Sequence, residues 1–317
     1  MTSPDSPFSG VPVMQPGFDV VTGAFSYTGR YIARRLLSQE RRVRTLTNHP
    51  NRPGAEDIKV DVAPLQFADR KALVDSLRGA DVLYNTYWVR FRHGRMGFGD
   101  AIANTRMLVG AAAEAGVRKI VHISVSNPST DSELDYYAGK ARTEEIVRAS
   151  GLRWAIVRPT LVFGSEDILI NNIAWLLRRM PMFVIPGPGT FRVQPVSVDD
   201  VAEIATWAAE QTDNMTLDAA GPDTMTYAEL VEGIAIAVGR RPHLVVMPPR
   251  VTLWAADVVS RYMRDVMLTR QELQGLMDEL LVSSEKPRGT RRIDNWLLTN
   301  ADLVGKTYAS ELDRHWR

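Results

Sequence analysis

The apolar run Phe18-Asp19-Val20-Val21-Thr22 stops at Gly23, and Gly29 lies at the start of a stretch with helical apolar spacing. A glycine straight after a strand permits a tight turn, and a second at the helix start lets backbone N–H groups close on an anion such as a pyrophosphate. Strand-like runs at Val43–Thr47, Ile58–Asp61, Val82–Asn85, Lys119–Ser124 and Trp154–Arg158 then alternate with helical patterns at Thr28–Gln39, Asp69–Leu77, Gly99–Ala115 and Asp135–Ser150. Alternation at this pitch predicts βαβ units with right-handed crossovers around a parallel sheet buried on both faces. The expected class is α/β, a doubly wound parallel sheet whose ligand site lies at the carboxyl ends of its strands.

The chain divides into a leader at 1–17, a Rossmann-type dinucleotide-binding core at 18–165, and a smaller α/β lobe at 166–317, interleaved with the last core strands and ending in a helical tail. In the second part the pattern predicts a helix at Ile168–Arg179, a Pro/Gly-rich hinge at Pro181–Gly189 and a short strand at Arg192–Pro195. A helix at Val198–Glu210, a strand near Thr216–Asp218 and helices from Tyr227 and Thr252 follow. The last of these, Thr252 to Met267, carries an apolar stripe broken by Arg261 and Arg264. It reads as core or as the face of a homodimer, with a peripheral membrane contact as the other use.

Charge is balanced, 38 Lys+Arg against 37 Asp+Glu among 317 residues, with no long run of one sign, which argues against a nucleic-acid partner. The absence of cysteine excludes thiolate chemistry and disulfides and suits a reducing, cytoplasmic setting. No apolar window approaches the roughly 20 residues of a membrane span, so no integral membrane segment is expected. The five histidines, His49, His93, His122, His243 and His315, show no paired ligand spacing, and no metal site is expected. His122, inside an apolar strand, reads as a satisfied core histidine.

The turn Gly23-Ala24-Phe25-Ser26-Tyr27-Thr28-Gly29-Arg30 has the G-x-x-G-x-x-G spacing with Ser26 at the middle position. Serine is small enough to keep the close approach, and its hydroxyl suits a phosphate; a helix cap with no ligand is the plainer use. Dinucleotides lacking a 2′-phosphate are usually held by an acidic residue at the end of the second strand. Here the chain reads Thr47-Asn48-His49-Pro50-Asn51-Arg52, with no carboxylate. Arg30, Asn48, Arg52 and His49 suit a 2′-phosphate, so NADP(H) is favoured over NAD(H), although Arg30 equally suits a solvated helix face. Asp61, with Val62 beside it, is read as closing the third strand, where it would accept from an adenine amine or cap a turn.

A second constellation is Asp135-Tyr136-Tyr137-Ala138-Gly139-Lys140. Four residues apart on a helix, Tyr136 and Lys140 share a face, and an ammonium beside a phenol lowers the phenol's pKa toward neutrality. Such a tyrosine can exchange a proton with an alcohol or carbonyl oxygen. Ser124 and Ser126 on the fifth strand are candidates to hydrogen-bond that oxygen, and Ser126, nearer the carboxyl end, is the better placed. Tyr137, three residues from Lys140, is the alternative tyrosine. After the fourth strand, Tyr87-Trp88-Val89-Arg90-Phe91-Arg92-His93-Gly94-Arg95-Met96-Gly97-Phe98 interleaves aromatics with arginines. Trp88 and Arg90 suit a flat or acidic small-molecule substrate, as does Arg192 near the hinge, where a salt bridge is equally open.

These residues resemble a short-chain dehydrogenase/reductase of the extended or atypical kind. The likeness runs from Thr22-Gly23 through Asn85, Asn104, Ser126, Tyr136 and Lys140 to Arg158-Pro159-Thr160-Leu161-Val162-Phe163-Gly164. It continues in Gln194-Pro195-Val196-Ser197-Val198-Asp199-Asp200 and is strongest to the branch containing the 39 kDa accessory subunit of respiratory complex I. The resemblance implies that Gly23, Ser26 and Gly29 line the pyrophosphate, that Asp61 reaches the adenine, and that Asn85, Thr86 and Tyr87 lie beside the ribose. It implies Tyr136 as acid/base, Lys140 as its partner and ribose ligand, Ser126 on the substrate oxygen, Asn104 supporting a relay water, and Pro159 and Thr160 at the nicotinamide end. The expected activity is NAD(P)(H)-dependent hydride transfer to or from a carbonyl or alcohol carbon. The alternatives are a nucleotide-binding sensor or scaffold without turnover, and a sugar-nucleotide epimerase that recycles its NAD.

Overall fold

The computed structural model describes residues 17–312 apart from 53, 93, 95 and 267. The leader up to residue 16, and His93, Arg95, Met267 and His315 from the sequence reading, lie outside the described residues. In chain order the elements are β1 (Phe18–Thr22), α1 (Tyr27–Ser38), β2 (Arg42–Leu46), β3 (Asp61–Ala63), α2 (Arg70–Leu77), β4 (Ala80–Asn85), α3 (Phe98–Glu114), β5 (Lys119–Ile123), α4 (Asp135–Arg148) and β6 (Arg153–Pro159). Then come β7 (Leu161–Phe163), α5 (Leu169–Arg179), β8 (Met182–Pro186), β9 (Arg192–Val193), β10 (Pro195–Ser197), α6 (Val198–Glu210), β11 (Met215–Ala219), β12 (Met225–Thr226), α7 (Tyr227–Ala237), β13 (His243–Met247), α8 (Pro249–Met263), α9 (Arg270–Met277) and α10 (Ile293–Thr299).

Seven strands form one parallel sheet in the order β11-β6-β5-β4-β1-β2-β3, so the winding reverses between β1 and β4. Both faces are covered, as the continuous apolar strands require. Consecutive residues alternate sides: Val21 joins the cluster of Ile32, Leu36 and Ile204 from α1 and α6, while Val20 joins that of Leu73, Leu108 and Val147 from α2, α3 and α4. A third cluster gathers Phe163, Ile173, Phe183, Ile185, Val231, Ile234 and Leu297 in the second lobe.

Two boundaries differ from the sequence pattern in ways that matter. β3 begins at Asp61 rather than ending there: Asp61, Val62 and Ala63 run in parallel register with Arg44, Thr45 and Leu46 of β2. The stretch Pro181–Gly189 is not merely a hinge: Met182–Pro186 pairs in parallel with His243–Met247 to make a separate two-stranded sheet. Proline at a strand's ends signals a turn in sequence, yet it is tolerated where an edge leaves the N–H unpaired.

Helix α4, which carries the Tyr/Lys pair, is fastened to the sheet by charge. Glu144, 1% exposed, accepts from Arg158 Nη2 of β6 at 2.6 Å and from Arg148 Nη2 at 2.8 Å. Removing one member of a buried pair strands the others. Glu144→Ala is therefore expected to cost about 3 kcal/mol, the low end for a buried pair because both guanidiniums keep a solvent-facing side, read as a lowered urea midpoint.

Candidate active site

A cleft of ≈ 1280 Å³ runs along the carboxyl ends of the strands. One end is the glycine turn. Gly23 sits at φ +69°, and a Cβ on Gly29 would fall 2.3 Å from the Gly23 carbonyl, so both positions demand the absence of a side chain. Tyr27, Thr28 and Gly29, the first turn of α1, line the cleft, and neither an acidic residue nor a side-chain cap competes there. The Ser26 hydroxyl turns back to donate to the Gly23 carbonyl at 2.7 Å, which closes the turn. This bare backbone at a helix N-terminus fits a pyrophosphate.

Around the turn, Asn48, His49 and Arg52 line the cleft at the end of β2, with Leu65 and Phe67 opposite and no carboxylate among them. Asn48 ties that loop to the next, donating to and accepting from Leu65 backbone at 2.9 and 3.1 Å. Arg30 is not among the lining residues: its guanidinium lies against Gly54 and faces Glu166 at 3.7 Å and the Phe25 carbonyl. Phe25 itself is buried in the core beneath the turn. Asp61 lies at the amino end of β3, exposed and 3.8 Å from Arg42, on the far side of the sheet edge from the cleft, and Val62 is exposed beside it. The adenine contact expected of Asp61 followed from ending the strand too early.

Between β1 and β4 a buried polar chain sets the floor. Asn85 Oδ1 accepts from the Tyr87 N–H at 3.1 Å and its Nδ2 meets His122 Nδ1 at 3.1 Å. His122 Nε2 meets Thr143 Oγ1, which donates to the Lys140 carbonyl. Burial, reinforced by the charges of Lys140 and Arg148, pushes His122 down to about 3, so it stays neutral. Asn85 is thus part of the floor rather than the wall, whereas Thr86 and Tyr87 face the cleft. Asn104 donates to the Tyr87 hydroxyl at 2.8 Å and holds that ring, without itself reaching the cleft.

At the other end the aromatic side chains converge. Trp88 stacks on Phe98 with centroids 5.8 Å apart, and Tyr136 meets the edges of Trp88, Phe98 and Tyr137 at 5.4–6.1 Å. Gly139, between Tyr136 and Lys140, makes room for the indole: a Cβ there would lie 2.9 Å from it. Lys140 Nζ donates to the Ile123 carbonyl at 3.0 Å and sits 4.9 Å from the Trp88 ring centroid. Burial pushes Lys140 down to about 7, with Glu144 opposing. Burial also raises the Tyr136 phenol above the ordinary tyrosine range, and Glu272 adds to the push. The lowered phenol pKa expected from the pair is absent because the ammonium is engaged by a carbonyl and an indole face.

The two serines exchange ranks. Ser126 Oγ donates to the Leu280 carbonyl at 2.6 Å and lies off the cleft, fastening the segment after α9. Ser124 lines the cleft, and its buried hydroxyl has no hydrogen-bond partner; neither has the Trp88 indole N–H. Pro159 and Thr160 form the wall after β6, and Thr160 is held by the Gln194 carbonyl at 2.6 Å. Arg90 lines the cleft but is paired with Glu272 and Glu311, which overcome burial and hold it charged. Arg192 is paired with Glu279 at 2.5 Å outside the cleft. Phe98, the last residue of the loop read for the substrate, lines the wall, whereas the sequence reading missed Arg142, Arg270 and Leu276.

Lys140 titrates near 7 in the fold against an ordinary 10.5, so between those values the unfolded chain holds more protons and stability rises with pH. The gain in urea midpoint from pH 6.5 to pH 9 is expected to shrink in Lys140→Met, while the variant's midpoint at the lower pH rises toward or above that of the parent.

A profile of the NAD(P)H-binding family matches residues 23–211. The chain is 27% identical over 297 residues to the 40 kDa subunit of NADH-ubiquinone oxidoreductase of Neurospora crassa, a match covering 91% of this chain and 77% of that one. It is 26% identical to the ceramide reductase of Caulobacter vibrioides over 78% of each chain. A Mycobacterium tuberculosis relative, 31% identical and uncharacterized, is far longer: the match spans 69% of this chain and 23% of it. Among solved structures, a nucleoside-diphosphate-sugar epimerase from Staphylococcus aureus superposes with a TM-score of 0.71 at 17% identity, over 89% of this chain and 99% of that one. The Rossmann-type sheet, the bare glycine turn and these likenesses together place the chain in the NAD(P)H-binding family of short-chain dehydrogenase/reductase-like proteins.

Proposed function

We propose that the protein is an NADP(H)-preferring oxidoreductase that reduces a carbonyl carbon of a small molecule, with Tyr136 as proton donor. The observation that carries this reading is the meeting of Tyr136, Lys140 and the unpartnered Ser124 hydroxyl at one end of a cleft whose other end is the glycine turn. When bound, the nicotinamide supplies the hydride. Tyr136, kept protonated by burial at neutral pH, gives its hydroxyl proton to the substrate oxygen. Ser124 and the Trp88 indole N–H donate hydrogen bonds to that oxygen and gain the partners they lack. Lys140, taking a proton from solvent, would turn from the Ile123 carbonyl to a ribose hydroxyl of the bound nucleotide, and its charge would offset the Tyr136 phenolate until a solvent proton restores the phenol. Trp88, Phe98 and Leu276 offer an apolar wall, in keeping with the ceramide in the name of the Caulobacter relative.

The NADP(H) preference rests on Asn48, His49 and Arg52 at the end of β2 and on the lack of a carboxylate there. Arg30 has no part in it. Arg52→Ala is expected to raise KM for NADPH about ten-fold while leaving that for NADH within two-fold, the loss of one charge-assisted hydrogen bond to a phosphate.

A second reading, a nucleotide-holding scaffold, is favoured by the likeness to the Neurospora complex I subunit and by a Tyr136 phenol whose pKa burial raises instead of lowering. NADPH consumption against a panel of aldehydes, ketones and quinones separates the two. Under the reductase reading Tyr136→Phe loses about 10²–10⁴ in kcat, and Ser124→Ala about ten-fold. Ser126→Ala chiefly lowers stability. Tight NADPH binding with no turnover across the panel would establish the scaffold, and nucleotide retained through purification would point to an epimerase.

A further inference from the structure

Helix α8 turns its apolar side to solvent. Val251, Trp254, Val258 and Tyr262 are 40%, 68%, 48% and 85% exposed, and of the whole helix only Thr252 is buried. At 100° per residue those four side chains fall within about 80° of one another, a continuous stripe, while Thr252, Ala256 and Val259 face the fold. Arg250, Asp257 and Arg261 lie along one flank of the stripe, which keeps a net positive charge, and Arg264 closes the helix. Residues 240–270 hold six arginines (Arg240, Arg241, Arg250, Arg261, Arg264 and Arg270) against Asp257 and Asp265, in a chain whose total charge is +1. Among the described residues none of the six takes part in a salt bridge with an identified partner, whereas Arg41, Arg90, Arg158 and Arg291 do. Asp265 is turned inward, accepting from the backbone of Glu311 and Leu312 and from the Tyr308 hydroxyl, so it does not neutralise the surface.

We propose that this face of α8 docks on an anionic lipid surface. An exposed apolar stripe with tryptophan and tyrosine, flanked by arginines, is the pattern of a helix lying in the bilayer interface, where the rings enter the headgroup layer and the guanidiniums meet lipid phosphates. A second copy of the chain fits poorly, because a two-fold contact through this face sets arginine against arginine. The helix has 15 residues and lies on the membrane without crossing it. The chain passes from α8 straight to Leu268–Glu272, a wall of the cleft, so docking here sets the substrate site beside the lipid surface.

Cosedimentation of the full chain with vesicles of phosphatidylcholine alone, and of phosphatidylcholine mixed equally with phosphatidylglycerol, tests this. Binding is expected to the mixed vesicles only and to weaken with salt. Arg250→Gln with Arg261→Gln should weaken it about five-fold for each arginine, and Trp254→Ser with Tyr262→Ser should abolish it. These side chains are exposed, so thermal unfolding and NADPH binding should match the parent in both double variants. Equal binding to both vesicles, no binding to either, or parental binding by either double variant overturns the proposal. A parent that sediments as a dimer, with the Trp254/Tyr262 variant a monomer, overturns it in favour of contact between copies.

Discussion

The hydrogen bond from Lys140 to the Ile123 carbonyl joins the helix that carries the Tyr136 phenol to the end of the strand that leads to Ser124. A buried ammonium needs a partner, and the last carbonyl of β5 has no strand residue left to serve. That one contact draws α4 over the strand ends and sets Tyr136 beside Trp88. The Asn85–His122–Thr143 chain beneath it ties β4, β5 and α4 into one polar floor, and the neutrality of His122 keeps a second charge away from Lys140. The same arrangement leaves the phenol protonated and lowers the Lys140 amine to about 7.

The second lobe supplies closure more than chemistry. Ser126 and Asn127 hold the carbonyls of Leu280 and Val282, Arg192 holds Glu279, and Arg90 gathers Glu272 and Glu311 from two separate segments. Each of these residues has the chemistry of a ligand contact and is used as a fastener. Ser126 and Arg90, withdrawn from water, take the nearest complementary group, while Asn127 and Arg192 make their bonds at the surface; in every case the partner comes from a segment distant in sequence.

Much of the architecture was legible because it rests on local pattern. The strand–glycine–helix turn, the alternation of apolar runs and the placement of Tyr136 and Lys140 on one helix face all follow from spacings within a few residues. Where the reading slipped, distant partners decided. β3 takes its register from β2, and this moved Asp61 to the wrong end of its strand for an adenine. Met182–Pro186 is a strand only because His243–Met247 comes alongside it. Ser124 and Ser126 share a strand face in sequence, and only the arrival of Leu280 separates an engaged hydroxyl from an unpartnered one.

By itself the sequence determined a nucleotide-binding α/β sheet with a bare glycine turn, a tyrosine and lysine one helical turn apart, and a second strand whose end lacks a carboxylate. These are properties of adjacent residues, and backbone geometry makes them visible. The tertiary structure alone decided which serine faces the cleft, that Arg30, Arg90 and Arg192 are held by carboxylates, and that the apolar stripe of α8 faces outward. Burial and charge pairing are set by what packs against a side chain, and no spacing within the chain encodes that neighbour.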